Sequence, residues 1–318
     1  MSERRVVIAP DKFKGTLTAL EVAQALAAGI GNARLAPLAD GGDGSVDAAV
    51  RAGFERRTVT VRGSFGEPVI APLAVKDDTV LVEAAAICGL GERRDPLAAS
   101  TFGVGEAILH ALDWNPKAIV LAAGGTGTVD GGAGMLAALG GRVPEVELVL
   151  ASDVDNPLID AATVYGPQKG AGPAEVAVLV ERLTRLAQEH PELASRPGAG
   201  AAGGLGFAAF QLGARYRPGA EFFLELADLD LSADLVITGE GSLDAQTLSG
   251  KLPLAVARRS NAPVIAVTGR CLLTPAETRA AGFAAVYALA DRDPRCATDP
   301  DLSRRLLTEI GRELELSS

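Results

Sequence analysis

Residues 5–30, RVVIAPDKFKGTLTALEVAQALAAGI, set how the chain begins to fold. Arg5 to Ala9 is a short β-branched run that stops at Pro10-Asp11, as a buried parallel strand does. Thr18-Ala-Leu-Glu21 has capping-box spacing, in which the hydroxyl and the carboxylate each satisfy a backbone donor at a helix start. Leu20, Ala23, Leu26, Ala27 and Ile30 then share one helical face. Leu35 to Ala39 reads as a second strand, running into Asp40-Gly-Gly-Asp-Gly44 and a helix through Val50. The order is βαβα.

The far end of the chain has the same texture. Strands are expected at 234–238, 263–268 and 284–289, alternating with helices at 246–260, 275–281 and 300–314. Thr274-Pro-Ala-Glu277 is a second capping box, with proline at the first helical position. The middle differs. Residues 57–62, 69–75 and 79–83 read as an antiparallel meander, followed by a helix at 103–114, a strand at 118–123, a glycine stretch at 124–134 and a helix at 175–189. The tract PGAGAAGGLG (197–206) is either a flexible linker or a loop whose glycines approach a ligand. It runs straight into the amphipathic segment 207–212, which favours the second reading. The expected fold is therefore α/β. Residues 1–57 and 221–318 form a doubly wound parallel-sheet domain, and a second α/β domain, 58–220, is inserted into it.

Composition removes several functions. Of 318 residues, 48% are hydrophobic and 22% charged, which suits a folded globular chain. A net charge of −10 repels phosphate backbones and anionic lipid, so neither nucleic acid nor a membrane surface is an expected partner. Cys88, Cys271 and Cys296 are far apart and never form a CxxC pair, arguing against a disulfide scaffold or a thiolate metal site. With His110 and His190 as the two histidines, a three-histidine zinc site is impossible; both fit helix-surface or helix-end positions. The apolar run near the start is too short for a signal-peptide core, and no stretch is long enough to span a bilayer, so a cytoplasmic location is expected.

Chemistry is expected outside the carboxyl ends of the parallel strands, where loop amides and helix starts face ligands. Four loops qualify: 9–15 (APDKFKG), 39–44 (ADGGDG), 238–244 (TGEGSLD) and 268–270 (TGR). Three carry carboxylates among glycines. Glycine lets backbone N–H groups approach an anion, and clustered carboxylates call for a divalent cation, so the pattern suits phosphate plus Mg²⁺. Standard phosphate fingerprints are absent: residues 125–131 (GTGTVDG) miss GxGxxG by one position, and no GxxxxGK[ST], HRD or DFG occurs. Of only six lysines, Lys14, Lys169 and Lys251 each abut a glycine, as a point charge on a transferring phosphoryl group would require.

At this point the sequence resembles the bacterial glycerate kinases of type I. The resemblance is carried by IAPDKFKGTL (8–17), PLADGGDGS (37–45), STFGVGEAI (100–108), GGTGTVDGGAGM (124–135), SDVDNPL (152–158), YGPQKGA (165–171), PGAGAAGGLGFA (197–208) and ITGEGSLDAQTLSGKLP (237–253). It implies ATP-dependent, Mg²⁺-assisted phosphorylation of D-glycerate to 2- or 3-phosphoglycerate in organic-acid or glyoxylate metabolism, on a flavodoxin-like domain with an inserted α/β domain. The chain departs from the family pattern at Val129, often Asn, at Ser242, frequently Arg, and in a short stretch between Gly140 and Ser152.

Phosphoryl transfer depends on positioning and charge stabilisation. Asp244 is the leading candidate to accept the hydroxyl proton and Asp130 its rival, with Lys14 and Lys251 as cationic clamps. Asp40, Asp43 and Glu240 are the candidate Mg²⁺ ligands. Asp11, Gly41, Gly42, Gly124, Gly125, Asp153, Asn156, Lys169, Gly203 and Gly204 are the candidate substrate- and nucleotide-binding positions. The scheme requires Asp40, Glu240 and Asp244 to share one site. A non-catalytic sugar-acid sensor and a nicotinamide-dependent dehydrogenase are the alternatives.

Overall fold

A computed structural model describes residues 4–316. In chain order the strands are β1 (Val6–Pro10), β2 (Arg34–Leu35), β3 (Glu55–Arg62), β4 (Pro68–Lys76), β5 (Thr79–Glu83), β6 (Ala118–Ala122), β7 (Glu147–Ala151), β8 (Arg215–Arg217), β9 (Leu235–Gly239), β10 (Ser242–Leu243), β11 (Val264–Thr268), β12 (Arg270–Cys271) and β13 (Phe283–Ala288). The chain divides into two compact units, Met1–Asp40 with Phe223–Ser318, and Gly41–Phe222.

In the first unit all strand pairs are parallel, in the order β13-β11-β9-β1-β2. Numbered along this unit alone, that is 5-4-3-1-2, the flavodoxin-like order, whose switch point lies between its first and third strands. Those are β1 and β9. The helices Ala19–Ile30 and Pro300–Leu316 pack together over Val6, Ile8, Leu235, Ile237 and Val267. Val7, Val236 and Ala266, on the alternate positions, are buried as well. Strands covered on both faces read as continuous apolar runs, which is why they were legible in the sequence.

The second unit holds a six-stranded sheet, β3-β4-β5-β6-β7-β8. Its first two pairings are antiparallel, as the meander predicts, and the remainder are parallel. Its core joins Val80, Val82, Ile119, Leu121 and Leu150 to helix residues Ile108, Leu179, Leu183 and Phe207. Val129 is fully buried in this core.

Several details differ from the sequence expectation. The first boundary falls after Asp40 rather than after residue 57, because the helix Ser45–Arg51 packs on β4 and β5. The second falls at Phe222/Phe223. The strand expected at 35–39 pairs regularly only at Arg34–Leu35, although Ala36 N and Leu38 N still donate to Ile8 O and Pro10 O. The stretch between Gly140 and Ser152 contains β7, whose LVLA run was passed over. The helix expected at 246–260 is broken: Gly250 (φ +114°) ends a short 3₁₀ turn, and the helix Leu252–Arg259 restarts with Pro253 in its first turn. The tract 197–206 is no flexible linker. It leads into the helix Ala201–Gln211, buried from Ala201 through Phe210, with Ala202, Gly203 and Gly204 at positive φ. A Cβ on Gly203 would lie 1.8 Å from the Thr128 carbonyl oxygen, so backbone packing dictates that glycine. Among the described residues no helix is long and apolar enough to cross a membrane.

Candidate active site

The chain leaves β1 at Pro10, and Asp11 N donates to Gly239 O at 2.8 Å, tying the loops after β1 and β9 together. Phe13, buried, pairs with Leu17 and closes a tight turn that leaves Lys14 and Gly15 exposed at its tip. Lys12 instead turns inward. Its Nζ donates to Asp40 Oδ1 at 3.1 Å and lies 3.5 Å from Asp11 Oδ1. The requirement that a lysine abut glycine selected Lys14 and missed Lys12, although both stand in the same motif.

After β9 the chain must pass close to β11. A Cβ on Gly239 would sit 1.8 Å from Val267 O, which explains a glycine just before Glu240. Glu240 is buried and accepts a hydrogen bond from the Thr247 hydroxyl, itself fully buried. Thr247 Oγ1 also accepts from Asp244 N at 3.0 Å, so one hydroxyl fixes both acidic residues. Asp244 Oδ1 accepts from Gln246 N at 2.9 Å and Oδ2 from Ser242 Oγ at 3.1 Å. Lys251 Nζ donates to Gln246 Oε1 at 3.0 Å. Ser242, where the resemblance expects arginine, stands opposite Arg270 in the β10–β12 pair.

These groups interact. Burial pushes the Glu240 carboxyl up to about 7; the Thr247 hydrogen bond and Lys251 oppose the rise, while Asp11 and Asp244 add to it. Burial, and then Asp40, raise Asp11 well above the usual carboxylate range, with Lys12 pulling the other way. Asp40, Glu240 and Asp244 thus all belong to the first unit, on the loops that follow β2 and β9 beside the switch point.

Mg²⁺ is the cation that the resemblance implies. Among the described residues no three histidine, cysteine or carboxylate side chains gather into a metal cage. In phosphoryl-transfer sites Mg²⁺ commonly takes one or two carboxylates and fills its shell with phosphate and water. Asp11, Asp40 and Glu240 are hard oxygen donors, and burial with neighbouring carboxylates favours protonation of Asp11 and Glu240, which a divalent cation would reverse, so the donor set suits Mg²⁺.

The other expected residues lie in the second unit. Gly124 and Gly125 follow β6, and Asp153 and Asn156 follow β7, at the carboxyl ends of parallel strands. Asp153 Oδ1 accepts from Ala220 N at 2.8 Å, and Asn156 bonds both Tyr165 and Asp160. Asp43 is exposed, and Gly41 and Gly42 are buried beside it. Asp130 accepts from Thr101 N, Thr101 Oγ1, Gly132 N and Gly134 N at 2.8–3.2 Å. Lys169, 5% exposed, donates to Thr128 O at 2.8 Å. Cys88 beside them has its thiol pushed up to about 12 by burial and by Asp130, which leaves it unreactive. Gly203 and Gly204 lie in the packed break described above. Glu83 was overlooked: at the end of β5 it accepts from Gly44 N and Val46 N and so fixes the loop that follows Asp40.

Known proteins are similar to this chain in sequence and architecture. The model of the Glycerate kinase family matches residues 6–145 and 141–315. A glycerate kinase of Halalkalibacterium halodurans is 40% identical over 323 residues, spanning 83% of this chain and 85% of its own. Glycerate 2-kinase of Escherichia coli K12 is 36% identical over 324 residues, with the same two coverages. A crystal structure from Salmonella typhimurium LT2, assigned as a glycerate kinase 2, matches with a TM-score of 0.72 and 33% identity over 99% of both chains.

Proposed function

The chain belongs to the glycerate kinase family and is an enzyme that phosphorylates glycerate; from that premise we propose that it transfers the γ-phosphoryl group of ATP to the 2-hydroxyl of D-glycerate at the carboxyl edge of β1, β2 and β9. One observation carries the placement. Asp11 and Glu240 close the two strands that flank the switch point of a parallel sheet, where burial, with the Asp11 charge adding to it, raises the affinity of Glu240 for a proton. The name of the Escherichia coli relative, glycerate 2-kinase, supports the choice of hydroxyl.

In this reading Asp40 and Glu240 would hold Mg²⁺, which would supply positive charge to offset that of the phosphates. Lys12 balances Asp11 and Asp40 and keeps their loops in register. Asp244, held by the Ser242 hydroxyl and Gln246 N–H, takes the proton from the glycerate hydroxyl as that oxygen bonds to the γ-phosphorus and ADP departs with the electrons of the broken P–O bond. Lys251 and Lys14 supply point charges to phosphate or to the glycerate carboxylate.

The test is incubation with ATP, Mg²⁺ and D-glycerate, the products being identified by ³¹P NMR beside tartronate and L-glycerate. ADP and 2-phosphoglycerate are expected. A 3-phosphoglycerate signal would move the chemistry to the other hydroxyl. Glycerate binding with no ADP would point to a sensor, and an absorbance change near roughly 340 nm to a dehydrogenase.

A further inference from the structure

The pair β10–β12 lies just past the ends of β9 and β11, and its register sets Ser242 against Arg270. Residue 270 is firmly mounted. Arg270 N donates to Gly241 O at 3.1 Å, Gly269 N donates to Glu240 O at 3.2 Å, and the buried Thr268 hydroxyl bridges the carbonyls of Glu240 and Arg270. The backbone that positions Glu240 therefore positions Arg270 too.

Its side chain is oriented in an unusual way for this chain. Nε donates to Ser242 Oγ at 3.0 Å, and Ser242 Oγ donates onward to Asp244 Oδ2 at 3.1 Å. That one bond sets the plane of the guanidinium. The two Nη groups make no hydrogen bond or ion pair with any described residue, and the residue is exposed. Elsewhere Arg292, Arg295 and Arg304 are oriented by the carboxylates that neutralise them. Arg270 is oriented by a hydroxyl and keeps its paired N–H fork for an oxyanion, which guanidinium binds in bidentate fashion.

We propose that Arg270 is a substrate-binding residue, gripping an oxyanion of a substrate held at the Glu240–Asp244 site, either a phosphate of the nucleotide or the carboxylate of glycerate. This rests on the placement of the site argued above. Arg270 is two hydrogen bonds from Asp244, so an anion on its fork lies beside the group assigned to receive the hydroxyl proton.

Arg270→Gln and Arg270→Lys are to be compared with the parent protein by steady-state kinetics, varying nucleotide and glycerate in turn, and by calorimetric titration with ADP and with glycerate separately. Arg270→Gln should raise the KM for one anionic substrate, and weaken its calorimetric binding, by about tenfold or more, with a smaller change in kcat. Arg270→Lys should fall between, because an ammonium keeps the charge and loses the fork. An effect on the nucleotide identifies phosphate as the ligand, and an effect on glycerate identifies the carboxylate. Both KM values within about twofold of the parent, or a fall in kcat alone, would overturn the proposal. Glu240→Gln run in parallel separates the two levels: if it retains full turnover the site itself is misplaced, whereas its loss beside an unaffected Arg270→Gln sinks only the arginine.

Discussion

Glu240 and Asp130 stand in similar glycine-rich sequence, GEGSLD (239–244) and GTGTVDGG (125–132), and both are 8% exposed. Their surroundings are opposite. Asp130 accepts four hydrogen bonds, three of them from backbone amides, and anchors the start of the helix Ala133–Leu139. Glu240 accepts one, from Thr247, and faces other carboxylates. A buried carboxylate with its acceptors filled has little left to offer a ligand, while one crowded by like charge binds a cation or a proton readily. Hydrogen-bond satisfaction, rather than motif or burial, separates the two.

The sharpest way to break this contrast is to neutralise the strand-end acids. Asp244→Asn should lower turnover at least ~10²-fold, the lower range for losing a general base. Glu240→Gln should lower it by a comparable ~10²-fold through lost transition-state charge stabilisation. Neither should reduce the unfolding midpoint, because neither residue caps a regular helix. Near-parental kcat in Asp244→Asn would remove the base assignment.

Asp130→Asn should do the reverse. An amide in place of the carboxylate strands at least one backbone donor, at about 2–4 kcal/mol for a broken buried charged network. In a domain of this size that is a drop of roughly 6–12 °C in the unfolding midpoint. Turnover per folded molecule should stay within about twofold. A variant with an unchanged midpoint and a collapsed kcat would instead make Asp130 the base.

The contrast also marks what the sequence could and could not say. Parallel strands covered on both faces are continuous β-branched runs, so β1, β9 and β11 were legible, and both capping boxes form with the predicted bonds. Motif loops at strand ends pointed to Asp11, Asp40, Glu240 and Asp244. Partners distant in sequence were invisible. Two of the four donors that fill Asp130 come from Thr101, 29 residues earlier, and Glu83 reaches Gly44 across 39 positions. Nor could spacing tell that Lys12 turns inward while Lys14 remains at the tip of its turn.

Glu83 offers the smallest and most specific test, because it is intermediate between the two acids. It is 5% exposed and accepts from Gly44 N at 3.1 Å and Val46 N at 2.8 Å. Even so, burial outweighs those two bonds and lifts its carboxyl to about 7, with Asp43 and Asp47 adding repulsion. Unfolded, the group titrates near the ordinary glutamate value of 4.5. Between these two values the folded chain binds the proton more tightly. The stabilisation is thus complete below the unfolded value and is lost as pH rises through the folded one. Asp11 and Glu240 act in the same sense. The parent protein should therefore unfold at a higher temperature at pH 5 than at pH 8, other groups being equal. Glutamine at position 83 cannot titrate and should remove roughly 1–3 kcal/mol of that difference. It should also lower the baseline by about 1 kcal/mol, since one of the two amides loses its acceptor. Thermal unfolding of both proteins from pH 5 to 8 at constant ionic strength decides the matter. An identical pH slope in Glu83→Gln would mean that the two amide bonds keep Glu83 ionised, and would place it with Asp130 among the satisfied acids.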